Sequence, residues 1–215
     1  MNTLEGRGYR RFYKNLGDAN KVFFTSDTHF NSMEIIRREN RPFNNKEEQD
    51  EIIINNFNKL AKEKDIIFHL GDFINYNEND KTSWESSIKY PKRINADIIL
   101  IIGNNEERLL KEIFNNDWDR FKAYLINCGF ENVFKEIFVD FENIELYLNH
   151  YPKNYKKDKF NLFGHTHKTC GLFKTFGLNM GIDLNYFNLF TEKDLLTLME
   201  RKSVWWDKDE DTLIK

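Results

Sequence analysis

The sequence predicts an α/β protein in which β-sheets are layered together with helices on the outside. Short runs rich in Ile, Val and Phe alternate with helical stretches through the first half of the chain. Residues 133–149 instead predict two strands joined near Glu142-Asn143. Alternating units followed by a strand-rich half favour a layered sandwich over a simple parallel wound sheet. At 215 residues, the chain fits one domain with a proper core.

Five apolar runs predict buried strands, and each one ends in a polar motif. The runs occupy residues 22–26, 66–70, 98–102, 146–149 and 160–163. They have the length and the β-branched and aromatic content of buried strands.

Two capping patterns predict where helices begin. Asn45 with Glu48 three residues later predicts a helix that continues until Asp65. Its apolar face carries Ile53, Phe57, Leu60 and Ala61. Thr191 with Asp194 predicts a second helix near the C-terminus. This helix carries Leu195, Leu198 and Met199.

Charge and cysteine content narrow the possible partners and compartment. The chain has 32 Lys and Arg against 35 Asp and Glu, a net charge of −3, so no global field draws it to nucleic acid or to a membrane. Nucleic acid stays possible but is not indicated. Cys128 and Cys170 form neither a metal-type spacing nor a disulfide framework, and residues 1–20 hold no signal-peptide-like apolar stretch. We therefore expect a cytoplasmic protein.

Candidate metal ligands follow the five predicted strands. Four of the five histidines of the chain belong to these motifs. The motifs are Asp27-x-His29, Gly71-Asp72, Gly103-Asn104, His150 and Gly164-His165-Thr166-His167. Each motif alone is weak evidence, because an aspartate or Gly-Asn after a strand is commonly a turn. Together, imidazoles and hard oxygens at strand ends predict a two-metal site that acts on phosphate esters.

The order and wording of these motifs resemble the calcineurin-like metallophosphoesterase superfamily, over roughly residues 21–190. Residues 24–30, 41–43, 68–73 and 161–167 look most like short single-domain bacterial and bacteriophage members. The resemblance implies a four-layer α-β-β-α sandwich, with two mixed β-sheets flanked by helices. It implies a phosphoesterase domain over residues 21–215, and we expect residues 1–20 to be an N-terminal extension packed on it.

The resemblance also implies how the ligands divide between two divalent metal ions. Asp27, His29 and His167 would hold one ion, Asn104, His150 and His165 the other, and Asp72 would bridge them. Imidazole with carboxylate suits Mn²⁺, our first choice, and also Fe²⁺, Ni²⁺ or Zn²⁺.

One position departs from the family pattern. Where relatives have Gly-Asn-His-Asp/Glu, this chain has Gly103-Asn104-Asn105-Glu106. In relatives the histidine is credited with protonating the leaving group, which an amide cannot do. Asn105 can still donate a hydrogen bond to a phosphoryl oxygen. We therefore expect a phosphodiesterase acting on a nucleotide or cyclic-nucleotide type of phosphate ester, and the alternative is a non-catalytic metal-binding scaffold or ligand-binding protein.

Three further features have competing interpretations. His69 is expected to be a core residue, or one that orients Asp72, rather than a ligand. The lysines of segment 153–159 either overhang the site or simply line a solvated loop. Residues 9–14 mix bases with aromatics as single-strand binders do, but a covering strand or helix is the preferred interpretation.

Overall fold

The structure is a computed structural model that describes residues 21–77, 79–80, 82–142 and 144–209. The predicted N-terminal extension, including its basic and aromatic residues 9–14, lies outside the described residues. No helix in the described part of the chain combines the length and apolar character needed to cross a membrane.

Ten strands and six α-helices make up the described chain. The strands are β1 Val22–Thr25, β2 Ile66–His69, β3 Asp97–Ile101, β4 Asn132–Phe134, β5 Glu136–Phe141, β6 Ile144–Asn149, β7 Phe160–Phe163, β8 Phe173–Lys174, β9 Gly177–Asn179 and β10 Phe190–Thr191. The helices are α1 Met33–Arg38, α2 Lys46–Leu60, α3 Thr82–Ser87, α4 Asn104–Glu112, α5 Trp118–Cys128 and α6 Glu192–Asp209. Single 3₁₀ turns occupy Tyr90–Arg93, Pro152–Asn154 and Ile182–Leu184.

The strands form two five-stranded mixed sheets, which confirms the predicted α/β class. The first sheet has the order β10-β1-β2-β3-β4, with β1 to β4 parallel and β10 antiparallel to β1. The second sheet has the order β5-β6-β7-β9-β8, in which β6, β7 and β9 are parallel.

Alternation along the strands divides the interior into two apolar cores. Phe24 of β1 belongs to a cluster with Leu148 of β6, so this core fills the space between the sheets. Phe23, the next residue of β1, points the other way and clusters with Phe57 of α2 and Phe121 of α5. The first sheet is therefore buried on both faces, which explains why its strands are continuous apolar runs.

The capping predictions are confirmed at the N-termini of α2 and α6. The Asn45 side chain accepts from the Glu48 N–H at 2.8 Å, and Asp194 N–H donates to Thr191 Oγ1 at 3.1 Å. The predicted end of the first helix is wrong, because α2 stops at Leu60, whose side chain is 38% exposed. Asp65 instead lies just before β2, and its carboxylate accepts from the backbone N–H groups of residues 21 and 62.

The stretch 133–149 contains parts of three strands rather than two. β5 and β6 pair antiparallel, with Phe141 opposite Ile144. β4 precedes them and pairs parallel to β3, so it belongs to the other sheet. Only Lys135 lies between β4 and β5, so the sequence contains no turn pattern that would separate the two strands.

Candidate metal centre

All seven predicted metal ligands meet at one end of the two sheets. The first sheet supplies Asp27 and His29 after β1, Asp72 after β2, and Asn104 at the start of α4 after β3. The second sheet supplies His150 after β6, and His165 and His167 after β7. Parallel neighbouring strands explain this convergence, because their carboxyl ends lie at the same edge of a sheet.

The backbone at five of these ligands is in the left-handed region. The φ angles are +60° at Asp27, +47° at His29, +53° at Asp72, +73° at His165 and +46° at His167. Side chains other than glycine rarely adopt this conformation, and its cost is of order 1–3 kcal/mol per residue. Such a concentration of backbone strain is typical of residues held in place for function.

Two motif glycines permit the strand-end loops to approach one another. A Cβ atom on Gly71, where φ is +93°, would lie 2.6 Å from His150 Nδ1. A Cβ on Gly164 would lie 2.6 Å from Asp27 Oδ2 and still closer to the Ser26 hydroxyl. The glycines in these motifs therefore make room for the ligand side chains.

Asp27, His29 and His167 form the first ligand group. One potential ligand atom from each lies within 4.8 Å of the others. Nε2 of His29 is 4.0 Å from Asp27 Oδ1, and Nε2 of His167 is 3.9 Å from the same oxygen. All three residues are buried. The arrangement brings together the predicted ligands of the first ion.

Asp72 lies between the two predicted ion positions. Its Oδ2 is 3.4 Å from His29 Nε2, and its Oδ1 is 3.8 Å from His150 Nε2. On the far side, Asn104 Oδ1 lies 3.2 Å from His150 Nε2 and 2.9 Å from His165 Nδ1. The structure thus brings the residues of the second group together, and Asp72 lies between the two groups.

The polar atoms at this centre fit divalent ions. Within the described part of the chain, neither ring nitrogen of His29 has a hydrogen-bond partner, although the residue is only 3% exposed. Burial lowers the pKa of His29 well below its usual value, so the ring is neutral and offers a lone pair. Burial also raises the pKa of Asp27. Unpaired imidazole and buried carboxylate are costly without a cation, and they match the donors of borderline metals.

Further hydrogen bonds select which histidine nitrogen faces the centre. His150 Nδ1 lies 2.7 Å from the Leu70 carbonyl oxygen, an acceptor, so Nδ1 carries the hydrogen and Nε2 is left as the ligand atom. His167 Nδ1 lies 3.0 Å from Asp183 Oδ2, which leaves its Nε2 toward Asp27. A carboxylate behind a histidine orients the ring and raises its basicity as a ligand.

Arg41 and Asp183 form a buried pair that sequence reasoning missed. Arg41 donates to both Asp183 oxygens at 2.8 Å and to the backbone carbonyls of Asp27 and Thr28 at 2.7 and 2.9 Å. Burial opposes ionisation, but the His167 hydrogen bond and the Arg41 charge bring the pKa of Asp183 down to about 2. Arg41 lies in residues 41–43, one of the segments that resemble the family, whereas Asp183 belongs to none of the motifs.

Glu106 holds the loops after β2 and β3 together. Its Oε2 accepts from the N–H groups of Asp72 and Gly103 at 2.9 and 2.8 Å, and Oε1 accepts from Phe73 and Ile74 at 2.9 and 3.2 Å. The side chain is fully buried. Burial and the nearby Asp72 charge raise the pKa of Glu106 to about 7, while the amide donors act in the opposite direction. Glu106 therefore positions the bridging candidate without facing the centre.

Asn105, the predicted catalytic residue, lies in the first turn of α4 and is 4% exposed. Its N–H donates to Asp72 Oδ1 at 2.9 Å, which places it beside the centre. Its side-chain oxygen accepts from the Tyr76 N–H at 3.0 Å. The amide side chain is thus oriented by a backbone donor.

His69, Lys156 and Lys159 make their contacts outside the ligand groups. His69 is a core residue, as expected, with Nε2 3.0 Å from Thr28 Oγ1, and burial lowers its pKa to about 3. Lys156 and Lys159 face Glu136 and Glu145 of the second sheet. Lys153 is the lysine of this segment that approaches the site, with Nζ 5.2 Å from the centre of the Tyr151 ring, which itself packs on His165.

The fold and the site define an α/β protein of two mixed sheets, with His, Asp and Asn side chains gathered at the strand ends as a candidate metal centre. The chain belongs to the calcineurin-like phosphoesterase family, whose model matches residues 20–213. The family resemblance read from the motifs is confirmed, and the family depends on a dinuclear metal centre.

The chain is also similar to two proteins without an assigned function. Over 87 residues, 40% of this chain, the sequence is 38% identical to an uncharacterized protein of Methanocaldococcus jannaschii. The match covers 47% of that protein, so the chain spans about half the length of this relative. The crystal structure of a protein of unknown function from Aquifex aeolicus aligns with a TM-score of 0.58 and 21% identity, over 83% of this chain and 99% of the other. At this identity, the match supports the fold alone.

Proposed function

We propose that this protein is a dinuclear metal-dependent phosphodiesterase that hydrolyses a nucleotide or cyclic-nucleotide type of phosphate ester. The observation that carries the proposal is the convergence of seven candidate ligands beside Asn105, which stands where the family has its leaving-group histidine. We assign Asp27, His29 and His167 to one ion and Asn104, His150 and His165 to the other, with Asp72 shared. Mn²⁺ is our first choice, with Fe²⁺, Ni²⁺ and Zn²⁺ as alternatives.

Two bound divalent ions would supply Lewis-acid activation of water and of phosphoryl oxygens. The chain provides the geometry for binding them. Asp183 and the Leu70 carbonyl orient His167 and His150, and Glu106 holds the backbone of Asp72. Of the seven proposed ligands, two are carboxylates, and the imidazole and amide ligands add no negative charge, so an anionic ester would be attracted to the loaded site.

Asn105 decides the type of ester in this proposal. Its side-chain oxygen accepts from the Tyr76 N–H, and its side-chain NH₂ has no titratable proton near neutral pH. General acid catalysis is typically worth roughly 10²–10⁴-fold, and its loss falls hardest on poor leaving groups. Alkyl monoesters are therefore expected to be poor substrates, whereas aryl esters, strained 2′,3′-cyclic phosphates and activated diesters react.

The free cysteines Cys128 and Cys170 support a cytoplasmic location.

The second candidate is a non-catalytic metal-binding scaffold or ligand-binding protein. The missing histidine favours it. Retention of all seven ligands in one cluster supports the enzyme instead, because a scaffold has no need for a position between two ions such as that of Asp72.

Metal removal and a substrate panel test the proposal. The protein is freed of metal with a chelator, dialysed, and assayed with and without Mn²⁺ or Ni²⁺. The panel contains aryl diesters, aryl monoesters, and 2′,3′- and 3′,5′-cyclic nucleotides. We expect hydrolysis to require metal and to favour diesters over alkyl monoesters. Full activity after verified metal removal contradicts the metal mechanism, and stoichiometric metal without turnover of any ester favours the scaffold.

A further inference from the structure

Arg38, the last residue of α1, stands beside the metal centre. Its Nη2 is 3.2 Å from His167 Nε2. Because His167 Nδ1 is engaged by Asp183, Nε2 is the nitrogen assigned to the metal. The guanidinium group is therefore next to a proposed ligand atom, on the solvent side of the centre, with its side chain 52% exposed.

The Arg38 side chain is held in this position by its neighbour. Its Nε donates to Glu39 Oε1 at 3.1 Å, and the Glu39 side chain is only 13% exposed. The backbone carbonyl of Glu39 in turn accepts from Lys168 Nζ, one residue beyond His167. A partly exposed ion pair contributes little to stability, so its main effect here is to fix the direction of the guanidinium.

The three arginines of this region differ in what they can still bind. Arg41 is buried, and its donors are occupied by Asp183, Gln49 and two carbonyls. Arg37 is exposed on α1, and no contact between its side chain and the centre occurs within the described residues. The contacts of Arg38 use Nε and Nη2, and leave Nη1 without a hydrogen bond to any described residue. Arg38 is thus suited to meet an anion at the centre.

We propose that Arg38 is a phosphate-binding residue whose guanidinium donates to a non-bridging oxygen of a phosphoryl group at the metal centre. The inference rests on the proposed function, and it names the residue that recognises the oxyanion. Once the His167 Nε2 lone pair is committed to a metal ion, Nη2 can no longer donate to it and is directed to the bound anion instead. The planar fork of arginine matches phosphoryl oxygens with two donors.

Electrostatics supports this placement. The positive charge of Arg38 acts on the candidate ligands. Burial lowers the pKa of His29 most, followed by His167 and then by the charges of Arg41 and Arg38. A second cation, Lys168, lies on this side of the centre and donates to the Glu39 backbone carbonyl, so it does not neutralise the Glu39 carboxylate. Two positively charged side chains near His167 favour an anionic ligand, although the whole chain has a net charge of −3.

Inorganic phosphate is the probe that tests the proposal. Its dissociation constant is measured by calorimetry on the Mn²⁺-loaded wild-type protein and on Arg38→Ala, Arg38→Lys and the matched control Arg37→Ala. We expect Arg38→Ala to weaken phosphate binding roughly 10- to 100-fold, the range of a hydrogen bond between charged groups. Arg38→Lys should keep part of the affinity, and Arg37→Ala should bind like the wild type. Metal content and melting temperature should be the same in all four proteins.

Two results overturn the proposal. Unchanged phosphate affinity in Arg38→Ala shows that the guanidinium does not touch the anion. A fall in bound metal in that variant shows that Arg38 acts on His167 rather than on the phosphate. The measurement needs no turnover, so it is separable from the proposed function. A protein that binds phosphate through Arg38 yet hydrolyses no ester disproves the enzyme and leaves this inference intact.

Discussion

Replacing Glu106 with glutamine should damage both the stability of the fold and the metal centre. Each carboxylate oxygen of Glu106 accepts from two backbone N–H groups, so the side chain satisfies four buried donors. Glutamine keeps one oxygen and replaces the other with an NH₂ group, which is itself a donor. Whichever way the amide turns, two backbone N–H groups lose their acceptor and face another donor.

The expected magnitude follows from those two lost acceptors. A buried donor left without a partner costs about 1–3 kcal/mol, so two cost about 2–6 kcal/mol of unfolding free energy. For a domain of this size that corresponds to a fall in melting temperature of roughly 5–20 °C. Because the Asp72 N–H is one of the four donors, the Asp72 side chain should also shift and bound metal should decrease.

Chemical denaturation and metal analysis at pH 8, above the pKa of about 7 for Glu106, measure both effects. The matched control is Glu107→Gln, one residue later on α4. Glu107 is exposed and accepts from the Tyr151 hydroxyl, a contact that an amide oxygen can keep. We expect a change below about 1 kcal/mol in the control. If Glu106→Gln and Glu107→Gln unfold at the same denaturant concentration with full metal content, the role assigned to Glu106 is incorrect.

Three further predictions test other parts of the structure. Asp72→Ala should lose bound metal and turnover, since Asp72 faces both ligand groups. Lys156→Ala should keep both its metal and its turnover. Equal, small effects of the two changes on metal content contradict the bridging assignment. Asn105→His should raise the hydrolysis of alkyl monoesters up to about 10²-fold and that of p-nitrophenyl phosphate only slightly. The activity of this variant should fall as pH rises. A folded, metal-loaded variant without this gain shows that Asn105 does not occupy the position of the acid. Burial raises the pKa of Asp50 from 3.8 to about 6, so the wild type should lose up to about 3 kcal/mol of stability as pH rises through this window, and Asp50→Asn should not. Urea unfolding of both proteins at pH 4 and pH 7 measures the difference, and parallel pH curves contradict it.

The convergence of the candidate metal ligands could be predicted because their signal is local. A strand end is recognisable from an apolar run such as residues 98–102, and Asn104 directly follows it. Parallel pairing of β1, β2 and β3 then brings their ends together without any information on side-chain packing. The start of α2 was predictable for the same reason, because its cap is contained in four consecutive residues.

The residues that support the ligands could not be predicted, because their partners are distant in sequence. Asp183 is 142 positions from Arg41, and neither residue stands in a pattern that implies the other. Glu106 is 34 positions from Asp72, and although the third motif includes it, the motif does not reveal that its four bonds are to backbone atoms. The predicted helix continues past Leu60, where α2 ends, because an apolar side chain at helical spacing does not reveal whether another element covers it.

The division of the candidate ligands between the two sheets means that a metal bound there would cross-link the sandwich. His167 comes from the second sheet, while its partners Asp27 and His29 come from the first. His150 and His165 likewise meet Asn104 from the opposite sheet. Ions bound here would resist any separation of the sheets by mass action, because parting them breaks both ligand groups at once. Neither sheet alone carries all the proposed ligands of either ion, so we expect metal binding to depend on closure of the sandwich.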